Sequence, residues 1–382
     1  MKKVLFGFAF AVALPLFAQQ KPVYLDASKP MEVRVEDALK RLTLEEKVAM
    51  VHAQSKFSSA GVPRLGIPEN WMTDGPHGIR PEVLWDEWDQ AGWTNDSCVA
   101  YPALTCLAAT WNPDMSLLYG KSIGEEARYR KKDILLGPGV NIYRTPLNGR
   151  NFEYMGEDPY LSATMVVPYI KGVQDQGVMA TIKHFIANNS DYDRDHISND
   201  IDERTLNEIY FPSFKAAVQE AEVGAVMTSY NLLNGVYTTE SPWLLKDVLR
   251  DQWGFNGVVM SDWGSTHYCI PAARGGLDLE MAGGERMNPK DMAYYLKTGD
   301  VTMDMVDEKV RHILRVLIAF GFKDGTQADS NIPLDNPQST ATALEVAREG
   351  MVLLKNEKNI LPINPNKYKH LSLIHISEPT RP

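Results

Sequence analysis

The sequence is poor in the features that mark several whole classes of protein. It holds three cysteines in 382 residues, Cys98, Cys106 and Cys269, and their spacing fits neither a zinc motif nor a disulfide framework. Cys98 and Cys106 admit two readings, a pair formed in an oxidising compartment or two small buried residues. No run of five or more Lys or Arg occurs, and 49 acidic residues against 39 basic ones leave a net charge of -10. That balance disfavours nucleic acid and anionic membrane as partners. Past the amino terminus no stretch is long and apolar enough to cross a bilayer, and no cluster of ligand-type side chains implies a metal or cofactor. What the chain does have is a hydrophobic content of 44%, enough for a large core, and a length above one average domain.

The amino terminus supplies one apolar run. Lys2 and Lys3 precede Val4 to Phe17, and Ala18 follows before two glutamines, which is the form of a cleavable signal peptide over residues 1–18. The run is short for a membrane span and no cysteine follows it for lipid attachment. The expectation is an exported protein, periplasmic or secreted.

Farther on, short apolar runs alternate with amphipathic stretches. Thr43-Leu44-Glu45-Glu46 is a capping box that opens the first of the helices. The runs WMTDG, DILLGPGVNI, VMATIKH, GAVMTSY, GVVMSDW and LDLEM have the unbroken hydrophobicity of strands buried on both faces. Between them Asn112-Pro113, Asp158-Pro159 and Ser241-Pro242 each set a capping side chain before a proline at the start of a helix. This alternation predicts an α/β fold with a parallel sheet, and its length suits a (β/α)8 TIM-type barrel over residues 22–322. Residues 323–341 are rich in Asp, Asn, Ser and Pro and read as a linker. Residues 342–370 then give a short helix, a strand MVLLK and a turn LPINPN, the expected start of an incomplete α/β sandwich domain. The tail 371–382, LSLIHISEPTRP, resembles the translation of a sequencing adapter and is expected to be artefactual.

Most of the apolar runs end in a side chain suited to chemistry or sugar binding: Asp74, Asn141 with Arg144, Lys183 with His184, Ser229 with Tyr230, and Asp262. In a barrel these ends converge on the face that carries active sites. Turn and helix-cap roles would account for one or two of them, not five. Retaining hydrolysis of a glycosidic bond needs a carboxylate nucleophile and a carboxylic acid about 5 Å apart. Asp262, behind GVVM and before Trp263-Gly264, fits the nucleophile, with Lys183, Arg150 and Arg80 as cations to keep it ionised. Taken alone, SDW also fits a helix cap.

Five segments together carry a family resemblance: TDGPHGIR (73–80), GPGVNIYRTPLNGRNFEYMGEDPYL (137–161), KHFIANN (183–189), VMTSYNLLNG (226–235) and VVMSDWG (258–264). In order and spacing they resemble glycoside hydrolase family three, in its β-glucosidase branch, over roughly residues 35–368. The resemblance implies Asp262 as nucleophile with Trp263 beside the sugar. It further implies that Asp74, Arg80, Arg150, Lys183, His184 and Tyr230 hold the hydroxyls of the terminal sugar, with Met227 and Arg194 lining the pocket. Charged hydrogen bonds of that kind contribute about 1–3 kcal/mol each. Glu157 and Asp158 read as structure. A neighbouring branch places an acid/base histidine shortly after the Lys-His pair, whereas IANNSDYD here has none. The resemblance therefore implies a glutamate acid/base in a second domain, not present in this chain.

The activity so implied is that of a retaining, exo-acting β-glucosidase on oligosaccharides or other β-glucosides. Its alternatives are a β-xylosidase or related β-glycosidase, and a sugar-binding fragment crippled by the missing acid. Gly120-Lys121-Ser122-Ile123-Gly124 matches the G-x-S-x-G of serine hydrolases, but it sits in a helical stretch rather than at a strand–turn–helix elbow. The loop 82–96, EVLWDEWDQAGWTND, sets three tryptophans among acids; a sugar-stacking platform and packing on the barrel rim both fit it.

Overall fold

The computed structural model describes residues 22–92, 98–321, 335–367 and 370. The signal-peptide reading, most of the linker, Trp93 of the tryptophan loop and the tail 371–382 lie outside the described residues.

Ten strands are present: β1 Ala53–Ser55, β2 Ser58–Ser59, β3 Asn70–Asp74, β4 Ile134–Leu136, β5 Met179–Phe185, β6 Ser198–Asn199, β7 Ala225–Thr228, β8 Leu232–Leu233, β9 Val236–Tyr237 and β10 Val258–Met260. Seven of them form one sheet in the order β1-β2-β3-β4-β5-β7-β10. From β3 to β10 neighbours are parallel, and the middle strands are buried on both faces as their hydrophobic runs predict. The sheet curls until its ends meet through residues 277–281. Leu279 bridges Met260 on one side and Glu280 bridges His52 on the other. This closure gives an α/β barrel.

Two sequence expectations change here. LDLEM forms single bridges rather than a strand, acting as the stave that joins the sheet's ends. The parallel pattern also fails at the start, where β1 pairs antiparallel with β2 and β2 with β3. Only Lys56 and Phe57 separate β1 from β2, whereas a parallel connection needs a dozen residues or more. The resulting hairpin turn reappears at the active site.

The helix starts follow the sequence closely. Thr43 accepts from the Glu46 N–H while the Glu46 carboxylate accepts from Thr43 N–H, completing the box at Leu44–Met50. Asn112 caps Pro113–Tyr129 and Asp158 caps Pro159–Gln174. These two helices approach at backbone distance: a Cβ on Gly120 would stand 2.1 Å from the Tyr169 carbonyl oxygen, and one on Gly172 would stand 2.4 Å from that of Leu117. The G-x-S-x-G stretch is thus a helix-packing surface, with the buried Ser122 hydroxyl 3.1 Å from Thr342 Oγ1.

Thr342 belongs to the helix Pro337–Gly350, where a short helix was expected. The following MVLLK is not a strand. Residues 351–355 are irregular and exposed, because among the described residues no strand edge pairs with their backbone groups. All three cysteines are free thiols, Cys269 buried and the other two partly so. Among the described residues no helix is long and apolar enough to cross a membrane.

Candidate active site

Asp262 follows β10 directly, and the chain there is fixed on both sides. The Ser261 hydroxyl accepts from Met281 N–H at 2.8 Å and lies 3.1 Å from the Met281 carbonyl, tying the strand end to the closing stave. Ser265 donates to the Asp262 carbonyl through its N–H and its hydroxyl. Asp262 is 6% exposed. Its Oδ1 accepts the Trp263 N–H at 2.7 Å, while Oδ2 has no hydrogen-bond partner among the described residues.

The neighbour of that free oxygen is His184, whose Nε2 lies 3.4 Å away. His184 ends up there because β5 runs through it and because Asn141 clasps its backbone, donating to the His184 carbonyl and accepting its N–H, both at 2.8 Å. An arginine can only donate, so Arg150 Nη2, 2.9 Å from Nε2, makes Nε2 an acceptor. The ring proton then sits on Nδ1, 3.0 Å from the Tyr154 hydroxyl. Burial and the charges of Arg150, Lys183 and Arg194 hold the imidazole well below its ordinary pKa, in agreement with the neutral tautomer. His184 therefore offers no proton to Oδ2, which stays free to react.

Two more strand ends, with the loops after β4 and β5, converge on the same place. Asp74, closing β3, pairs with Lys183 Nζ at 3.4 Å through Oδ1 and with Arg80 at 3.3 Å through Oδ2. Its side chain remains 40% exposed while Lys183 is 5% exposed, so this acid faces outward on a buried cation. Arg150 pairs with Glu153. The buried Tyr230 faces Asp262, and burial with that carboxylate raises its phenol above the ordinary range, so it keeps its proton. Arg194, from the loop after β5, stacks its guanidinium 3.9 Å over the Tyr230 ring and pairs with Asp191 at 2.9 Å. Met227 lies in β7 opposite Met260, buried in the core.

Arg150 and Lys183 draw on the Asp262 carboxylate as expected, but burial outweighs them. Burial pushes the Asp262 carboxyl above its ordinary range, against the opposing pull of Arg150 and Lys183, the Trp263 N–H and the Tyr230 phenol. Desolvation of the enclosed carboxylate is the largest of these effects and sets the direction. If Asp262 is the nucleophile it must be ionised to attack carbon, and activity then rises with pH through this elevated value. A kcat/KM profile should show its acidic limb above pH ~4, the ordinary aspartate value; a limb at or below that pH would contradict it.

Some strand-end residues play other parts. Asn141 positions the His184 backbone, Arg144 is exposed, and Ser229 donates to the Ile186 carbonyl inside the barrel. Sequence reasoning missed Glu153 and Tyr154, which frame Arg150 and His184. The three-residue spacing from Arg150 to Glu153 was the available signal. It also missed Phe57, whose ring lies 5.3 Å from Trp263 at a hairpin turn that no motif announces. Among the described residues no three His, Cys, Asp or Glu side chains gather as metal ligands.

A family model described as the glycosyl hydrolase family 3 N terminal domain matches residues 44–316. The chain is 48% identical over 381 residues to a β-glucosidase, BoGH3A, of Bacteroides ovatus, covering 95% of this chain and 51% of that protein. It is 38% identical over 331 residues to an exo-α-(1→6)-L-arabinopyranosidase of Bifidobacterium longum, covering 86% of this chain and 42% of that one. The structure of β-glucosidase 3B from Thermotoga neapolitana in complex with α-D-glucose superposes with a TM-score of 0.78 at 37% identity, over 87% of this chain and 48% of the other. The chain thus spans about half the length of the curated relatives it matches.

Proposed function

Starting from a chain that belongs to glycosyl hydrolase family 3 through its N-terminal domain, we propose that it serves a retaining, exo-acting β-glucosidase whose nucleophile is Asp262. The observation that carries this reading is the buried Asp262 Oδ2, fixed at a strand end and without a hydrogen-bond partner among the described residues. Asp74, Lys183, Arg80, Arg150 and Tyr230 supply donors and acceptors around it, of the kind that grips several hydroxyls of one terminal sugar. Oδ2 attacks the anomeric carbon as the bond to the leaving oxygen breaks, giving a glycosyl ester. Water then displaces Asp262 from the opposite face, so the configuration is retained.

The leaving oxygen also needs a proton. The acids paired with the surrounding cations, Asp74 with Lys183 and Arg80, Glu153 with Arg150 and Asp191 with Arg194, are all engaged in ion pairs, which supports assigning the acid to a glutamate of a second domain. General acid catalysis typically contributes about 10²–10⁴-fold, so cellobiose, with its poor leaving group, depends on that acid far more than an activated aryl glucoside does. The reading includes export directed by residues 1–18. The test is NMR of the first sugar released from 4-nitrophenyl β-D-glucoside: the β anomer appears first if the reading holds, and the α anomer overturns it. β-Xyloside and α-L-arabinopyranoside run alongside decide the sugar, the latter because of the arabinopyranosidase relative.

A further inference from the structure

The imidazole of His184 is held at both nitrogens. Arg150 Nη2 stands 2.9 Å from Nε2, and the Tyr154 hydroxyl stands 3.0 Å from Nδ1. His184 is 1% exposed, Tyr154 and Asn188 behind it 0%, so these polar groups depend on one another for hydrogen bonds. Tyr154 is placed by its own backbone and by a glycine. Thr105 Oγ1 and the Tyr143 hydroxyl each lie 3.1 Å from its carbonyl, and its ring fits because a Cβ on Gly139, which would stand 3.0 Å from it, is missing. Burial raises the phenol well above its ordinary range, so it keeps its proton.

That proton needs an acceptor, because the phenol oxygen already accepts the His184 Nδ1–H. Asn188 Nδ2 lies 3.0 Å from the hydroxyl, while Asn188 Oδ1 has no hydrogen-bond partner among the described residues. The oxygen and nitrogen of an amide are told apart by their partners, and here the two unmet needs are complementary. Turning the amide over gives the phenol proton to Oδ1. The outcome is a chain of one direction: Arg150 donates to His184 Nε2, His184 Nδ1–H to Tyr154, and Tyr154 O–H to Asn188. Asn148 donates to the Asn188 carbonyl at 2.9 Å and holds the far end in place.

We propose that Tyr154, backed by Asn188, is a positioning residue for the nucleophile: by keeping the His184 proton on Nδ1, it leaves Asp262 Oδ2 free to attack. The inference rests on the reading of Asp262 as nucleophile, and Tyr154 acts through His184 without making or breaking a bond to the sugar. Without the phenol, the Nδ1–H is an orphaned donor in a buried place. Moving the proton to Nε2 relieves it, since Asp262 Oδ2 lies 3.4 Å from that nitrogen. Arg150 yields more easily, because its side chain is 19% exposed and already paired with Glu153. A hydrogen bond from Nε2–H then favours the ionised carboxylate and engages the attacking oxygen. The nucleophile becomes a weaker base and a slower one.

The experiment uses the full chain and its Tyr154→Phe variant. Nitrogen NMR of isotopically labelled histidine shows which ring nitrogen carries the proton, the His184 signals being assigned by their loss in His184→Gln. The unmodified chain is expected to show Nδ1 protonated and Nε2 bare, and Tyr154→Phe the reverse. On 4-nitrophenyl β-D-glucoside the variant should lose about tenfold in kcat/KM, the scale of one buried hydrogen bond. Its acidic limb should move down by about one pH unit, a shift of the same size. A proton on Nε2 in the unmodified chain overturns the proposal whether or not the variant folds. A folded variant whose tautomer or acidic limb stays where it was overturns it too, since loss of rate alone marks a purely structural role. If the unmodified chain leaves the aryl glucoside intact, the glucosidase reading fails, and the histidine spectra still decide whether Tyr154 sets the tautomer.

Discussion

In an Asp262→Asn variant, turnover of 4-nitrophenyl β-D-glucoside is expected to fall by roughly 10⁴-fold or more, the order seen when a covalent nucleophile is removed. The amide is close in shape to the carboxylate and can still accept the Trp263 N–H, so the loss isolates chemistry from packing. Stability moves the other way. The Asp262 pKa is raised in the folded state, so the protonated form stabilises the fold below the ordinary aspartate value. That contribution is lost as pH rises through the elevated one. At neutral pH the wild type therefore carries an unfavourable buried charge that Asn lacks, and thermal unfolding at pH 7 should give the variant the higher midpoint. An inactive variant that is also less stable would indicate a collapsed site instead. Ser122→Ala is the control for the serine-hydrolase reading: its hydroxyl reaches Thr342 between helices, and its loss should leave turnover intact.

Asp74→Asn is the second large effect. Asp74 is the ion-pair partner of the buried Lys183 and of Arg80, and its outward oxygens are those assigned to sugar hydroxyls. Losing two charge-assisted hydrogen bonds of about 1.5–3 kcal/mol each lowers kcat/KM by roughly 10²–10⁴-fold. The Lys183 ammonium, left in the barrel without its counter-charge, should also lower stability. Activity and unfolding midpoint should drop together, opposite in sign for stability to Asp262→Asn. An unchanged kcat/KM would remove Asp74 from the sugar site.

The contrast between these two acids shows what a sequence can and cannot disclose. Both were legible as strand-end residues, because buried parallel strands leave a hydrophobic signature and a barrel collects their ends. The capping boxes and Asn-Pro or Asp-Pro starts were legible for the same local reason, each needing only a few adjacent residues. The antiparallel β1–β2 hairpin was not legible, since strands this short carry little periodicity. MVLLK misled because hydrophobicity alone does not provide a partner edge. The sign of the Asp262 pKa was hidden too. It depends on burial against the summed pull of Arg150, Lys183, Trp263 and Tyr230, a balance set by three-dimensional packing. The proton on His184 Nδ1 likewise follows from where Arg150 lands, from the loop after β4.

The reactivity of the free Asp262 oxygen is tested most directly by trapping. The chain is incubated with 2,4-dinitrophenyl 2-deoxy-2-fluoro-β-D-glucoside, whose fluorine slows breakdown of the glycosyl ester, then digested and mapped by tandem mass spectrometry. One fluoroglucosyl group on the peptide containing Asp262, fragmenting to that residue and absent from Asp262→Asn, is the predicted result. A label on another carboxylate, or release of dinitrophenolate with no covalent adduct, would contradict Asp262 as the nucleophile.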